Sequence, residues 1–570
     1  MENNKRDYNV FFNTHTVSGI AISVGLFVCF FAGAFALFLD DINYWQVAKK
    51  QEAYRTDIDY EKALALVEAE GYKMEGRDFF LMLRDATEDY IQVSSQALKV
   101  PQDSTKEAFK LSPEDSLAHA NFFIKIDPDK YVVTARKFEA QHLLGSFLYH
   151  LHYYRQIPAV GIYIAGTVSL FFLFAIFTGV IIHWKKIISY FFTFRLKGSI
   201  KNLWTDGHTA LGMIGLPFQF MYAVTGAFFG LSILLYIPFV AVMFDGDVDK
   251  ALALLRPGVV TEEVAAVGDK TTLGINDLVN KSLVDIDQDE IEYVRLQVRN
   301  YGNEAAQLVV SAQMDTEREF MGLTRTTFRL HDGAVLDHKP LDEITYTEAA
   351  PIVLGKLHFA SFGGHLMKLV YFVLALLTCF VILSGVMIWI EARDTKAYAH
   401  KATFNKNVGA IYLGLCLGMF PAIALFFCLV KLFPTANFDV LSGIFFAAWL
   451  GYTVYAYKIK SNFKINKHAL LLAGSLGLII PVLNGIQSGI WVWQALPMGY
   501  FELFVVDFGW LTLGTLSLLA GIYAKPLDKK RKPRRRKEKV VPATATEDKL
   551  KEQLEGAVVS FGWRRLFRGK

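Results

Sequence analysis

Eight apolar runs, each about as long as a membrane is thick, limit what this chain can be more than any other feature. A stretch of roughly 18 or more apolar residues reads as a spanning helix, because hydrocarbon leaves no other way to satisfy the backbone. The runs are about 16–39, 157–183, 208–242, 365–390, 408–432, 438–457, 468–488 and 506–524. Pro217 and Pro238 are expected to kink the long third run or end it early. Only 20% of the 570 residues are charged and 53% are hydrophobic, against about 25% charged in ordinary soluble chains. The 47 Phe, 25 Tyr and 9 Trp exclude global disorder, and four cysteines in this length exclude a disulfide scaffold. Cys29, Cys379, Cys416 and Cys428 all fall inside the runs and read as small packing residues.

Charge placement sets the orientation. Short loops rich in Lys and Arg stay in the cytoplasm. Segment 184–207 carries Lys185, Lys186, Arg195, Lys197 and Lys201, and 391–407 carries Arg393, Lys396, Lys401 and Lys406. Segment 458–467 carries Lys458, Lys460, Lys464 and Lys467, and ten Lys or Arg lie between Lys525 and Lys539. These are alternate connections, so both termini are expected inside. The first run, preceded by Lys5 and Arg6 and followed by Asp40 and Asp41, reads as a retained signal anchor. The long connections 41–156 and 243–357 then face outward. Tyr60–Ala69 has an amphipathic helix pattern, and Phe122–Ile126, Tyr131–Thr134, Tyr293–Val298 and Gln307–Ser311 read as strands. A hairpin signal follows, Thr327–Leu330, Asp332-Gly333, Ala334–Leu336.

The expected fold class is a mainly α membrane protein with eight transmembrane helices and two small α+β outer domains. The expected divisions are 1–40 (N-terminus and first span), 41–156 (first outer domain) and 157–242 (second span, basic loop, third span). Then come 243–357 (second outer domain), 358–393 (fourth span), 408–524 (spans five to eight) and 525–570 (basic tail).

The first four spans carry an internal repeat. His15-Thr16-x-x-Gly19 opens the first and His208-Thr209-x-x-Gly212 the third. Eighteen residues after each His comes Gly33-Ala34-Phe35 or Gly226-Ala227-Phe228. His152 and His358 precede the second and fourth spans, and Thr178-Gly179-Val180 and Ser384-Gly385-Val386 follow 27 residues on. Span–domain–span therefore occurs twice, forming a duplicated helical core. Eighteen residues make about five turns and about 27 Å, so Gly33 and Gly226 share a face with their histidines. Such small residues admit a neighbouring helix or a flat cofactor. On regular helices Gly179 and Gly385 would face away from His152 and His358, although Pro158 interrupts the second span.

A pseudo-twofold axis along the membrane normal would set His15 opposite His208 on the inner side and His152 opposite His358 on the outer side. Paired neutral imidazoles suit the axial positions of b-type haem, two in this chain; no Cys-x-x-Cys-His for covalent haem is present. For any single histidine a capping or interfacial role is the ordinary reading. A divalent metal is disfavoured because each pair lacks Cys and nearby paired carboxylates. A proton relay predicts acids inside the spans, and there are almost none. His183 and His365 are held as reserve ligands. His150 points away from His152 on a helix, and His119, His142, His331, His338, His400 and His468 read as surface or interface residues. His152 and His183 are 31 residues apart, about 46 Å on one continuous helix. That is far for two communicating haems.

From His15 to about Arg393 the chain resembles the PepSY-associated transmembrane family. The matching pieces are His-x3-Gly in the first span, Leu151-His152, Thr178-Gly179, Asp206-x-His208-x3-Gly212 and Leu357-His358-x4-Gly363-Gly364. The resemblance implies PepSY-like periplasmic domains, the bacterial inner membrane and, in some members, haem-dependent reduction of ferric siderophores. The last four spans lie outside this pattern.

The function expected is therefore a dihaem b-type membrane reductase acting on a periplasmic ferric siderophore or other ferric chelate. No G-x-G-x-x-G after a strand and no P-loop occur, so quinol or a separate reductase must donate electrons. Spans five to eight would then be a quinol site, a partner contact or lipid-facing support. The basic tail is expected to meet anionic lipid rather than nucleic acid. Two other classes stay open: a haem-free sensor or regulator that binds through its outer domains, and an iron-chelate or proton-coupled transporter.

Overall fold

The computed structural model describes residues 5–526 apart from 51–54, 85–89, 97–119, 138–142, 185–188, 190–199, 249–273, 316–319, 321, 342 and 395. The basic tail beyond 526, the loop bases Lys185, Lys186, Arg195 and Lys197, and His119 and His142 lie outside the described residues. Helix α1 (Lys5–Ala36) is followed by the short α2 (Leu39–Val47), which stops where Ala48 turns left-handed, φ 54°. Helix α3 (Tyr60–Ala69) is capped by Asp59, whose side chain accepts from the Lys62 amide, and buries Tyr60, Ala63, Leu64 and Val67 along one stripe. Strands β1 (Phe79–Arg84), β2 (Tyr90–Ser95), β3 (Phe122–Ile126) and β4 (Val133–Ala135) precede α4 (Leu144–His152) and α5 (Gly161–His183).

The second copy repeats this plan. Helices α6 (Ile200–Ile214) and α7 (Leu216–Met243) lead to α8 (Ile275–Leu283). Strands β5 (Ile291–Arg299), β6 (Gln307–Met314), β7 (Leu323–Arg329) and β8 (Val335–Lys339) come next, then α9 (Tyr346–Phe359) and α10 (Gly364–Arg393). The C-terminal part is α11 (Ala402–Leu432), α12 (Phe438–Ile459), α13 (Asn462–Ser488), the single turn α14 (Val492–Ala495) and α15 (Phe501–Tyr523).

Eight helices among the described residues are long and apolar enough to cross a membrane: 6–36, 161–183, 216–234, 364–393, 398–432, 438–459, 462–488 and 501–523. Two of them differ in detail from the apolar runs. The second begins at Gly161, because Tyr154 and Ala159 adopt left-handed φ of 61° and 64° and break the path from α4. His152 and His183 therefore do not share one helix, and the expected span of about 46 Å between them does not arise. The third run is divided at Gly215, so His208 belongs to α6. Pro217 stands in the first turn of α7, where its missing N–H costs nothing, and α7 continues through Pro238 to Met243.

Each long connection is α+β, and together they build one antiparallel sheet in the order β4-β3-β2-β1-β5-β6-β7-β8. The joint is β1 against β5, with Leu81 opposite Leu296 and Phe80 opposite Gln297. Leu81, Ile91, Val93, Ile124, Leu296, Val298 and Leu308 are buried with Leu64, Val67, Leu278 and Val279 of α3 and α8. A separate core lies among the helices, with α11 buried along most of its length. All four cysteines are buried and unpaired.

Candidate functional site

The repeat brings its histidines together in pairs. The His15 and His208 ring centres are 6.2 Å apart, and those of His152 and His358 are 5.9 Å apart. Two imidazoles bound on opposite sides of one metal ion, each through a bond of about 2 Å, would have ring centres about 6.3 Å apart. Both pairs have that spacing.

The hydrogen bonds assign the protons. His15 Nδ1 lies 2.9 Å from the Ala175 carbonyl, His208 Nδ1 lies 2.9 Å from that of Val381, and His152 Nδ1 lies 2.6 Å from that of Cys29. A carbonyl only accepts, so Nδ1 carries the proton in all three. His358 Nδ1 lies 2.8 Å from Thr225 Oγ1, whose own proton goes to the Met221 carbonyl at 2.8 Å. The threonine oxygen therefore accepts as well. In each ring Nε2 keeps its lone pair, the arrangement that protein partners impose on a metal-binding histidine. Burial, with repulsion from His152 second, lowers His358 to about 3, and burial lowers His152 too, so both outer rings are neutral.

The conserved spacing of the glycines within the repeat now has a cause. A Cβ on Gly179 would stand 3.2 Å from His15 Cε1, and one on Gly385 would stand 3.1 Å from His208 Cε1. A Cβ on Gly33 would stand 2.6 Å from His152 Nδ1. The glycines make room for a histidine ring from a neighbouring helix. Gly226 breaks the pattern and faces Ser169 instead. Thr178 and Ser384, beside their glycines, lie 3.4 and 3.3 Å from the Nδ1 atoms of His15 and His208.

The rise along α1 from His15 to Cys29 is about 21 Å. That is the depth between the inner pair and the carbonyl that holds His152. Phe30 packs on Phe172, Phe218 and Tyr222, and Tyr371 packs on Phe218 and Tyr222. A cavity of about 340 Å³ opens beside the outer pair, lined by Phe30, Gly33, Tyr149, Tyr153, Phe229 and, as its charged member, Arg155. Its size and mostly apolar wall suit a flat organic cofactor.

The reserve histidines sit elsewhere or at the margin. His365 Nε2 is 2.7 Å from Asp41 Oδ1, and its ring stands edge-on to Phe501 at 4.7 Å. It belongs to neither pair. His183 closes α5 within electrostatic reach of His15 and His208. His150 packs on Tyr149 and Tyr153. Thr225 is the site residue that sequence reasoning missed.

Comparison with curated proteins gives no match. The family model described as "PepSY-associated TM region" matches residues 12–392, from the turn before His15 to the end of α10.

Proposed function

The chain belongs to the PepSY-associated transmembrane family, and from that premise we propose that it is a dihaem b-type membrane reductase for a ferric siderophore or other ferric chelate. The observation that carries this reading is the double pairing: two pairs of imidazoles with ring centres 6.2 and 5.9 Å apart and every Nδ1 spent on the protein. His15 and His208 would hold the inner haem, and His152 and His358 the outer one. Bound haem supplies a one-electron iron couple, which the carbon skeleton of a protein cannot.

The chain's own residues do the rest. The carbonyls of Ala175, Val381 and Cys29 and the Thr225 hydroxyl fix the tautomer and plane of each ring. Phe30, Phe172 and Tyr222 wall the cavity beside His152 and His358 and keep it apolar. Arg155 at the outer cavity offers a cation to a carboxylate. The chelate gains one electron from quinol or a separate reductase. The resulting ferrous ion carries less charge, so oxygen donors release it.

The bases Arg393, Lys401, Lys406, Lys458, Lys464 and Lys467 cluster at alternate connections. They support cytoplasmic termini and placement of the sheet on the far side; the family points to a bacterial inner membrane, where that side is the periplasm.

A visible spectrum of the protein purified from haem-replete cells tests the reading. The expected result is reduced b-type bands from two haems per chain, with one lost in His208→Ala and one in His358→Ala. A colourless wild-type protein would overturn it and favour the haem-free regulator. Uptake of intact chelate into vesicles without reductant would favour a transporter.

A further inference from the structure

The four C-terminal spans lie outside the matched family region, yet they grip the helix that carries His152. We infer that α11 and α15, acting through α2, clamp α4 and thereby set the position of His152, with Trp45, Gln46, Lys431 and Asp507 as positioning residues. The clamp stands on geometry alone; its consequence for ligation rests on the function proposed above.

The grip begins with two charged side chains buried in the membrane part. Asp507 accepts from the Trp45 indole N–H at 2.8 Å and from Asn484 Nδ2 at 2.8 Å. Lys431 donates to the carbonyls of Trp45 at 2.6 Å and Gln46 at 3.1 Å, and its ammonium stands 4.3 Å from the Trp45 ring centre. Charged side chains at membrane depth are costly and are retained where they have work to do. Here both are spent on one nine-residue helix, α2.

Helix α2 passes the constraint to α4. Gln46 Oε1 accepts the Leu144 amide at 2.7 Å, one of the donors that the start of a helix leaves without a partner. Asn43 exchanges bonds with Ser146, 3.2 Å to Oγ and 3.3 Å from the amide. Gly145 lies against the Leu39 carbonyl and the Asn43 side chain so closely that any Cβ would collide. From the other side Phe147 packs edge-on to Phe426 of α11 at 4.9 Å and Phe445 of α12 at 5.4 Å. Nine residues are too few to hold a helix by themselves, so α4 takes its place from its neighbours: α1, whose Cys29 carbonyl holds His152 at the C-terminal end, and these contacts, which fix its N-terminal half. In the second copy α9 packs on α7, and Phe359 beside His358 is 44% exposed. There His358 is held by Thr225 and by the Tyr222 hydroxyl, which donates to its carbonyl at 2.9 Å, with no part played by the C-terminal spans in these bonds.

Amide exchange on the purified full-length protein tests the clamp. Trp45→Phe keeps the ring but removes the bond to Asp507; Gln46→Ala removes only the acceptor at the start of α4 and leaves no buried charge. In both variants exchange across 144–152 should quicken about ten-fold or more, with 346–359 unchanged. Unchanged exchange at 144–152 in both would overturn the inference, and Gln46→Ala decides alone if Trp45→Phe does not fold. In haem-loaded protein the outer haem's bands should shift in both variants while the inner haem's do not. Faster exchange in a protein that carries no haem would leave the clamp standing and remove the function proposed above.

Discussion

At the scale of single residues, the distance a glycine leaves open decides how a histidine ring can sit. Gly33→Ala would place a methyl 2.6 Å from His152 Nδ1, so the ring must move. Gly179→Ala would meet His15 Cε1 at 3.2 Å, which a few tenths of an ångström relieve. Gly33→Ala is expected to cost about 1–3 kcal/mol in thermal unfolding and to halve haem content; Gly179→Ala should cost under about 1 kcal/mol and keep both haems. Equal effects from the two would count against the cradle. The histidines and glycines were legible because the repeat preserves their spacing. Their acceptors were not, since a backbone carbonyl such as that of Ala175 or Val381 carries no residue code. Thr225 was hidden for another reason: its counterpart in the first copy is Ala32, so comparing the copies removes it from view.

At the scale of elements, Asp59 joins the two outer halves. It caps α3 through the Lys62 amide and accepts from Asn276 of α8 at 2.8 Å. The backbone bond from Lys62, then the one from Asn276, holds its carboxyl below the usual aspartate range. Asp59→Ala should lower the sheet's stability by about 1 kcal/mol at neutral pH. With the folded value depressed, that contribution is whole above the unfolded pKa near ~3.9 and disappears as pH falls through the folded value. Protease resistance of the outer region should therefore differ between variant and wild type at pH 7 and converge near pH 2. Leu81→Ala, at the β1–β5 joint, should cost about 2–4 kcal/mol and expose both halves to protease together. Helix α3 and strands β3 and β6 were readable from local pattern. Strand β1, Phe79–Arg84, was not, because its mostly apolar text lacks alternation. The β1–β5 pairing links residues more than two hundred positions apart and leaves no local mark. Pro158 marked an irregularity between α4 and α5, but not the break made by Tyr154 and Ala159, which take a conformation usually reserved for glycine.

At the scale of the whole molecule, the orientation is open to direct labelling, because the four native cysteines are buried. Asp129, beside β4, and Lys458, at the end of α12, are exposed. In intact spheroplasts Asp129→Cys should react with a membrane-impermeant maleimide, and Lys458→Cys only after permeabilisation. The opposite pattern would reverse the assignment of sides. The span count and the duplication were plain in the sequence. The fit of the last four spans was not, since Trp45 and Asp507 meet across 462 residues. Strands β1 and β5 hold the same place in the two copies and lie antiparallel, as like edges do across a dyad. A gene for one copy alone would thus encode an edge that is its own complement. Residues 5–393 are laid out as two such copies joined edge to edge within one chain.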